Sequence, residues 1–139
     1  MQSGYHIIDH TADKAIEVWA PDLGRLILEA ARGLIALLVE ADSLTPQRRI
    51  QIAVAPREPE LLLHDALSEI LYLTEDEQLM PLDAELLETD AGGVTVEVGV
   101  VDMDVAAPYA LGLVKAVTYH DLDIERTPSG LRIQVTFDT

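Results

Sequence analysis

Alternating apolar and polar residues predict strands along most of this chain. In residues 15–20, Ile16, Val18 and Ala20 fall on one face of a strand, and the residues between them fall on the other face. The turn sequence at residues 90–93 joins two such segments as a hairpin. The pattern predicts strands at residues 5–9, 15–20, 48–54, 82–89, 94–101, 114–119, 122–125 and 131–137.

Two segments carry apolar residues at helical spacing instead. The first helix is predicted at residues 23–39, with Asp22 as a suitable N-cap. The second begins at Pro59, which is favourable in the first turn of a helix, and ends near Thr74. The apolar stripes comprise Leu26, Ile27, Ala30, Ala31, Leu34, Leu37 and Leu38 in the first helix, and Leu62, Leu63, Ala66, Leu67, Ile70 and Leu71 in the second.

The order of the elements predicts an α+β fold. Two helices among strands that are mostly joined as hairpins favour two helices packed on one face of a mostly antiparallel sheet. Residues 102–111 read as a less regular loop. No linker divides the sequence, so we expect one domain over residues 1–139. Each half holds a strand, a helix and further strands, which indicates a weak internal duplication.

The composition is strongly acidic and limits the range of functions. The chain has 25 acidic and 9 basic residues, which gives a formal net charge of −16. Lys and Arg supply most of the affinity for a phosphate backbone, so direct nucleic-acid binding is not expected. The charge favours a cation or a partner with a basic surface, although it also serves solubility alone.

The absence of cysteine excludes disulfides, thiolate metal sites and cysteine nucleophiles. The N-terminal residues lack the pattern of a signal peptide. The longest apolar stretch, residues 34–39, is far too short to cross a bilayer. We therefore expect a cytoplasmic protein that does not associate with membranes.

The carboxyl end is the first candidate site. Asp138 alternates with the apolar residues of the last strand and is therefore predicted to point away from the core. The α-carboxylate of Thr139 then lies beside the Asp138 side chain, and adjacent anions repel each other unless a cation lies between them. With a third carboxylate such as Asp13, the site would suit Ca²⁺, Mg²⁺ or Mn²⁺. The alternative is a solvated chain end without a ligand.

Two further segments carry polar residues that the fold alone does not require. His10 and Asp13 lie three apart in a predicted loop, where each also has an ordinary structural role. Lys115 alternates onto the side of Val117 and Tyr119, where it extends to water or holds an anion. The sequence has no Gly-rich phosphate loop, nucleophile elbow or zinc-protease helix, which argues against catalysis.

Together these segments resemble the archease family. The first signature is His10-Thr11-Ala12-Asp13, and the second is Lys115-Ala116-Val117-Thr118-Tyr119-His120. The Leu-rich second helix, from Leu61 to Leu73, and the acidic end at Asp138 are also similar to the family pattern. Ala15 departs from it, because the family often has Gly two residues after the signature Asp.

The resemblance implies a function and a set of residues. Archeases are accessory proteins of the GTP-dependent tRNA-splicing ligase and promote guanylylation of its active-site histidine, and hence its turnover. The family binds a divalent cation, seen as Ca²⁺, which on this sequence implies Asp13, Asp138 and Thr139 as ligands. Lys115 and His10 are predicted to take part in ligase activation. The implied fold is a duplicated strand-helix-strand-strand module, and the protein itself is not expected to be an enzyme.

Two other functions remain open from the sequence. One is a metal-dependent hydrolase of small phosphorylated substrates that uses Asp13, Asp138 and His10. Its weakness is the shortage of basic residues to hold phosphate. The other is a chaperone-like binding module that needs no metal and tolerates the loss of Asp13.

Overall fold

The computed structural model describes residues 2–9, 13–90 and 92–139. The α+β class is confirmed: helices pack on antiparallel strands. Two single 3-10 turns, Ala41–Ser43 and Ala107–Tyr109, lie between the regular elements. In chain order the helices and strands are β1 (Gly4–Asp9), β2 (Lys14–Ala20), α1 (Leu23–Leu38), β3 (Arg48–Val54), α2 (Pro59–Glu75), β4 (Leu79–Asp90), β5 (Gly93–Asp102), α3 (Met103–Ala106), β6 (Ala116–Val117), β7 (Glu125–Thr127) and β8 (Gly130–Asp138).

The described strands form two sheets, where the sequence led us to expect one. One sheet has the order β1-β2-β8-β6, with β7 also paired to β8, and the other has the order β3-β5-β4. The single-sheet expectation was wrong because β2 pairs on one side with β1 and on the other with β8. β3 pairs instead with β5, and β5 also pairs with β4, so these three strands form a second sheet.

The predicted duplication takes a nested form. The elements β3, α2, β4 and β5 make a strand-helix-strand-strand module, with its last strand between the first two strands in the sheet. The elements β2, α1, β6 and β8 repeat this plan, because β8 lies between β2 and β6. The first module is inserted in the chain between α1 and β6 of the second. The insertion explains why no simple repeat is visible in the sequence.

Helix α1 lies at the centre of the core. It contacts β1, β2 and β8 of one sheet and β4 of the other. A helix covered from both sides must be apolar around most of its circumference, and most of its residues are indeed buried. Asp22 caps its start as predicted, since its Oδ1 accepts a hydrogen bond from the Arg25 N–H at 2.9 Å. Buried side chains of both modules join in one continuous core.

The segment between β5 and β8 departs most from prediction. Residues 102–111 contain the short helix α3 and a 3-10 turn instead of an open loop, and Ala106 is buried there. The strand predicted at 114–119 is only Ala116–Val117. The strand predicted at 122–125 lies later, at Glu125–Thr127, because the tight turn that pairs Thr127 with Gly130 determines its register.

Gly130 holds this turn in a conformation that other residues cannot adopt readily. Its φ is +149°, and an added Cβ would lie 2.3 Å from the Ala20 carbonyl oxygen. Because neither backbone can move aside without breaking β-pairing, we expect Gly130→Ala to lower the free energy of unfolding by about 2–3 kcal/mol. Urea unfolding followed by circular dichroism measures this change.

Gly112→Ala is the matched control. An added Cβ at Gly112 would meet only the Lys14 Nζ, at 2.7 Å, which is the far end of a flexible side chain. We expect Gly112→Ala to lower the free energy of unfolding by less than about 0.5 kcal/mol, as is usual for substitutions on the surface. Equal unfolding midpoints for the two variants would contradict this account of the Gly130 turn.

Candidate functional site

Strand pairing brings the two predicted carboxylates to the same end of one sheet. In the β2–β8 pair, Lys14 lies opposite Phe137. Asp13 precedes Lys14 and Asp138 follows Phe137, so both aspartates lie at the same end of this strand pair. Both aspartates are exposed, as predicted for Asp138 from its alternation. Asp13 of the first signature and Asp138 near the carboxyl end of the sequence therefore lie near each other in space.

The segment that carries Lys115 joins the same end of the sheet. The Lys115 N–H donates a hydrogen bond to the Asp138 carbonyl oxygen at 2.8 Å, and Ala116 pairs with Asp138 in the β6–β8 ladder. Thr139 follows directly and is half-buried. The second lysine, Lys14, places its Nζ over Gly112 in the chain that leads to Lys115. Both lysines of the chain thus lie at the sheet end with the carboxylates.

The predicted environment of Lys115 needs correction. Strict alternation placed Lys115 on one side with Val117 and Tyr119, but Val117 is buried while Lys115 and Tyr119 are exposed. The alternation does not extend this far because β6 is only two residues long. His10 lies outside the described residues, so its predicted place near Asp13 stays a prediction.

The donor atoms at the sheet end suit a hard cation. Within residues 2–9, 13–90 and 92–139, no three His, Asp or Glu side chains are grouped to hold a metal. The predicted set, however, takes only two side chains, those of Asp13 and Asp138, and adds a main-chain oxygen of Thr139. All of these are oxygen ligands, the two aspartates are exposed to water that would complete a coordination shell, and Ca²⁺ and Mg²⁺ prefer such ligands.

A shallow groove beside Lys115 was not predicted from the sequence. It has a volume of about 290 Å³ and lies between α2 and the segment 115–119. His64 of α2 lies in it with its ring stacked on Tyr119 at a centroid distance of 4.0 Å and an interplanar angle of 9°. The signal for it in the sequence was a histidine one residue after Leu63, within the apolar stripe of α2.

Charged side chains on the outer face of the same sheet are paired with one another. Arg132 of β8 donates hydrogen bonds to Glu17 of β2 and to Glu125 of β7. The hydrogen bond to Glu17 raises the pKa of Arg132 above its ordinary value, although desolvation acts in the opposite direction. These charges stabilise the sheet by linking neighbouring strands.

Apolar side chains next to this end are unusually exposed. Leu111 and Leu113 flank Gly112 and are 55% and 63% exposed. Tyr109 and Val105 precede them and are also exposed. Apolar side chains grouped on a surface are typical of a contact with another protein.

Comparison with known proteins assigns the chain to a family. The archease protein family model matches residues 5–139, which is nearly the whole sequence. The chain belongs to the archease family. The match includes Asp13, Lys115 and Asp138 of the sheet end. The resemblance inferred from the two signatures is thereby confirmed.

Relatives and solved structures agree with this assignment. The chain is 34% identical over 122 residues to protein archease of Methanopyrus kandleri, covering 86% of this chain and 87% of that protein. It is 31% identical over 138 residues to a probable protein archease of Mycobacterium tuberculosis, covering 98% of this chain and 75% of that protein.

Two solved structures share the fold. The solution structure of protein 1598 of Methanobacterium thermoautotrophicum aligns with a TM-score of 0.72 and 21% identity, covering 98% of this chain and 99% of that one. The crystal structure of an archease from Thermotoga maritima, described as a possible chaperone, aligns with a TM-score of 0.65 and 24% identity, covering 95% and 94%. In the described part of the present chain, no helix has the length and apolar content of a membrane span.

Proposed function

We propose that this member of the archease family is an accessory protein of the GTP-dependent tRNA-splicing ligase. It binds a divalent cation through Asp13, Asp138 and Thr139 and speeds guanylylation of the ligase's active-site histidine. The observation that supports the proposal is the β2–β8 register, because Lys14 pairs with Phe137 and the residues next to them, Asp13 and Asp138, therefore lie at one end of the sheet. The ladder between β6 and β8 adds Lys115 to the same place.

The carboxylates supply the chemistry for a cation. Asp13 and Asp138 are like charges at the same end of the β2–β8 pair, and nearby like charges repel each other unless a cation is shared between them. A bound Ca²⁺, Mg²⁺ or Mn²⁺ would supply positive charge at an exposed edge that a partner can reach. Ca²⁺ fits best among these, because it tolerates irregular oxygen coordination completed by water.

Lys115 supplies an anion-binding group beside the carboxylates. It is exposed and follows the buried Val114 directly, so its stem is anchored while its ammonium group remains free to move. An ammonium group binds a phosphate oxygen or a carboxylate as a point charge. In the proposed complex, Lys115 contacts the triphosphate of ligase-bound GTP or a ligase carboxylate. We assign His10 to the same contact because it precedes Asp13 in the first signature.

The surrounding surface supports a protein partner. The exposed Leu111 and Leu113 lie in the chain that leads to Lys115 and provide apolar contact area. The net charge of −16 favours docking to a basic surface, which a ligase that handles RNA must have. The same charge opposes direct contact with the RNA, so the accessory protein contacts the ligase and not the tRNA.

The test is a guanylylation assay with a cognate ligase, GTP and Mn²⁺. Transfer of GMP from GTP to the ligase histidine releases pyrophosphate, and labelled ligase is measured over time. We expect the wild-type protein to increase the rate at least about tenfold, the equivalent of 1.4 kcal/mol in the barrier. Asp138→Ala and Lys115→Ala should each return the rate to that of the ligase alone.

Two exposed residues away from the site provide matched controls. Asp123→Ala removes a carboxylate and Arg126→Ala removes a cation, and both should retain full activation. No acceleration by the wild-type protein would overturn the proposed function. Metal-dependent release of phosphate by the isolated protein would favour the hydrolase instead. Activation that survives both site substitutions would favour a metal-independent binding module.

A further inference from the structure

His64 lies beneath the segment that carries Lys115. It is a buried polar residue in the middle of α2, with 9% of its surface exposed. Its Nε2 is 3.0 Å from the Val117 carbonyl oxygen. A carbonyl oxygen only accepts, so Nε2 must carry the hydrogen, and Nδ1 then accepts from the Ser68 hydroxyl at 3.4 Å. Both ring nitrogens are thus engaged, and the orientation of the ring is determined.

The ring of His64 also supports Tyr119 from one side. The two rings are nearly parallel, at 9°, with centroids 4.0 Å apart. Tyr119 is nevertheless 63% exposed, so its other face is open to solvent. An exposed tyrosine in a short segment has few other constraints on its position. The stacking therefore supplies a contact that a freely moving side chain would lack.

The segment needs such support because β6 is a very short edge strand. It comprises only Ala116 and Val117 and lies at the end of the sheet order. Its bonds to β8 run through the Lys115 and Thr118 amides, which donate to Asp138 and Thr136 at 2.8 and 3.0 Å. The Val117 carbonyl oxygen accepts a hydrogen bond from the side chain of His64 on α2. In a wider sheet, another strand would supply this donor.

We propose that His64 is a positioning residue for Lys115. It holds residues 115–119 by one hydrogen bond and one ring stack, and it thereby keeps the Lys115 backbone paired with Asp138. The functional half of this inference rests on the proposed ligase activation. The structural half concerns the chain alone and is testable without any ligase.

Two substitutions of His64 separate its two contacts. His64→Phe keeps a ring that stacks on Tyr119 but removes the donor to Val117. His64→Gln keeps an amide N–H near the position of Nε2 but removes the ring. Glu69→Gln, at an exposed position of the same helix, is the matched control. Unfolding midpoints in urea identify any variant that fails to fold.

The first readout is amide hydrogen exchange in the isolated protein. We expect His64→Phe to speed exchange at the Lys115 and Thr118 amides about tenfold, because an unpaired buried carbonyl favours opening of the segment. Exchange at Ile16 and Ile133, in the β2–β8 pair, should stay within twofold of the wild type. His64→Gln should fall between the control and His64→Phe. Unchanged exchange at Thr118 in both variants would overturn the proposal.

The second readout is ligase guanylylation. His64→Phe should lose most of the activation, while the Glu69→Gln control should retain it. A partial rescue by His64→Gln distinguishes positioning from general stability. Faster exchange with full activation would overturn the positioning role. An inactive wild-type protein would refute the proposed function, while the exchange result would still decide whether His64 holds the segment.

Discussion

Phe137→Ala should lower the free energy of unfolding by about 3–5 kcal/mol, the usual cost of removing a fully buried aromatic ring. Phe137 is the only phenylalanine of the chain and has no exposed surface. It lies in β8 opposite both Lys14 of β2 and Val117 of β6. Its loss therefore leaves a cavity at the point where three strands meet below the candidate site. In a domain of ordinary stability, a decrease of this size removes a large share of the total free energy of unfolding.

Urea unfolding followed by both circular dichroism and Trp19 fluorescence would measure this effect. Phe137→Leu is the matched control, since it fills most of the cavity and should cost less than half as much. An alanine variant within about 1 kcal/mol of the wild type would show that the site can collapse around the missing ring. The contribution of Phe137 to the sheet end would then have to be smaller than its burial indicates.

Asp138→Asn should weaken binding of Ca²⁺ about 100-fold, and Asp13→Asn should do the same, because affinity in such sites follows the number of charged ligands. The amide keeps the shape and one oxygen of the carboxylate but removes its charge. Without a cation, the substitution also removes one of two like charges at this sheet end, so it should not lower stability. The loss of binding is therefore separable from a loss of folding.

Calorimetric titration with Ca²⁺, Mg²⁺ and Mn²⁺ would measure the affinities. Asp123→Asn, an exposed carboxylate elsewhere on the sheet, controls for a general effect of net charge. Equal losses in Asp138→Asn and Asp123→Asn would mean that cations only gather around an acidic protein. Unchanged affinity in both Asp13→Asn and Asp138→Asn would place the ion elsewhere or exclude it.

The local pattern of apolar and polar residues was sufficient to predict the elements that bury one clear face. The helices at Leu23–Leu38 and Pro59–Glu75 and the strand at Arg48–Val54 match the predictions within about one residue. In each of them the apolar residues recur at the spacing of a helix or a strand, and these residues pack in the core. Each also has a clear boundary, such as the Asp22 cap of α1. The pattern failed at β6, where exposed and buried residues are mixed and the chain is held by a short ladder to β8 and by His64 of α2.

Long-range pairing was beyond the reach of the sequence. The side of the sheet to which Asp138 points followed from alternation in β8, and its exposure bears this out. Its place at the same sheet end as Asp13 did not follow, because the pairing of Lys14 with Phe137 joins strands that are far apart in the sequence. The division into two sheets was missed for the same reason. The interaction of His64 with Val117 likewise requires knowing that α2 packs against β6.

The nesting of one module within the other has a consequence for synthesis on the ribosome. The inserted module is continuous from Arg48 to Asp102, so all of its strands are present while the ribosome is still adding β6. The outer sheet lacks β8 at that stage, and β2 has only β1 beside it. Asp13 is made before the inserted module and Asp138 after it. A nascent chain therefore cannot offer both carboxylates to a cation, and the proposed accessory function begins only when the polypeptide has been made through to β8.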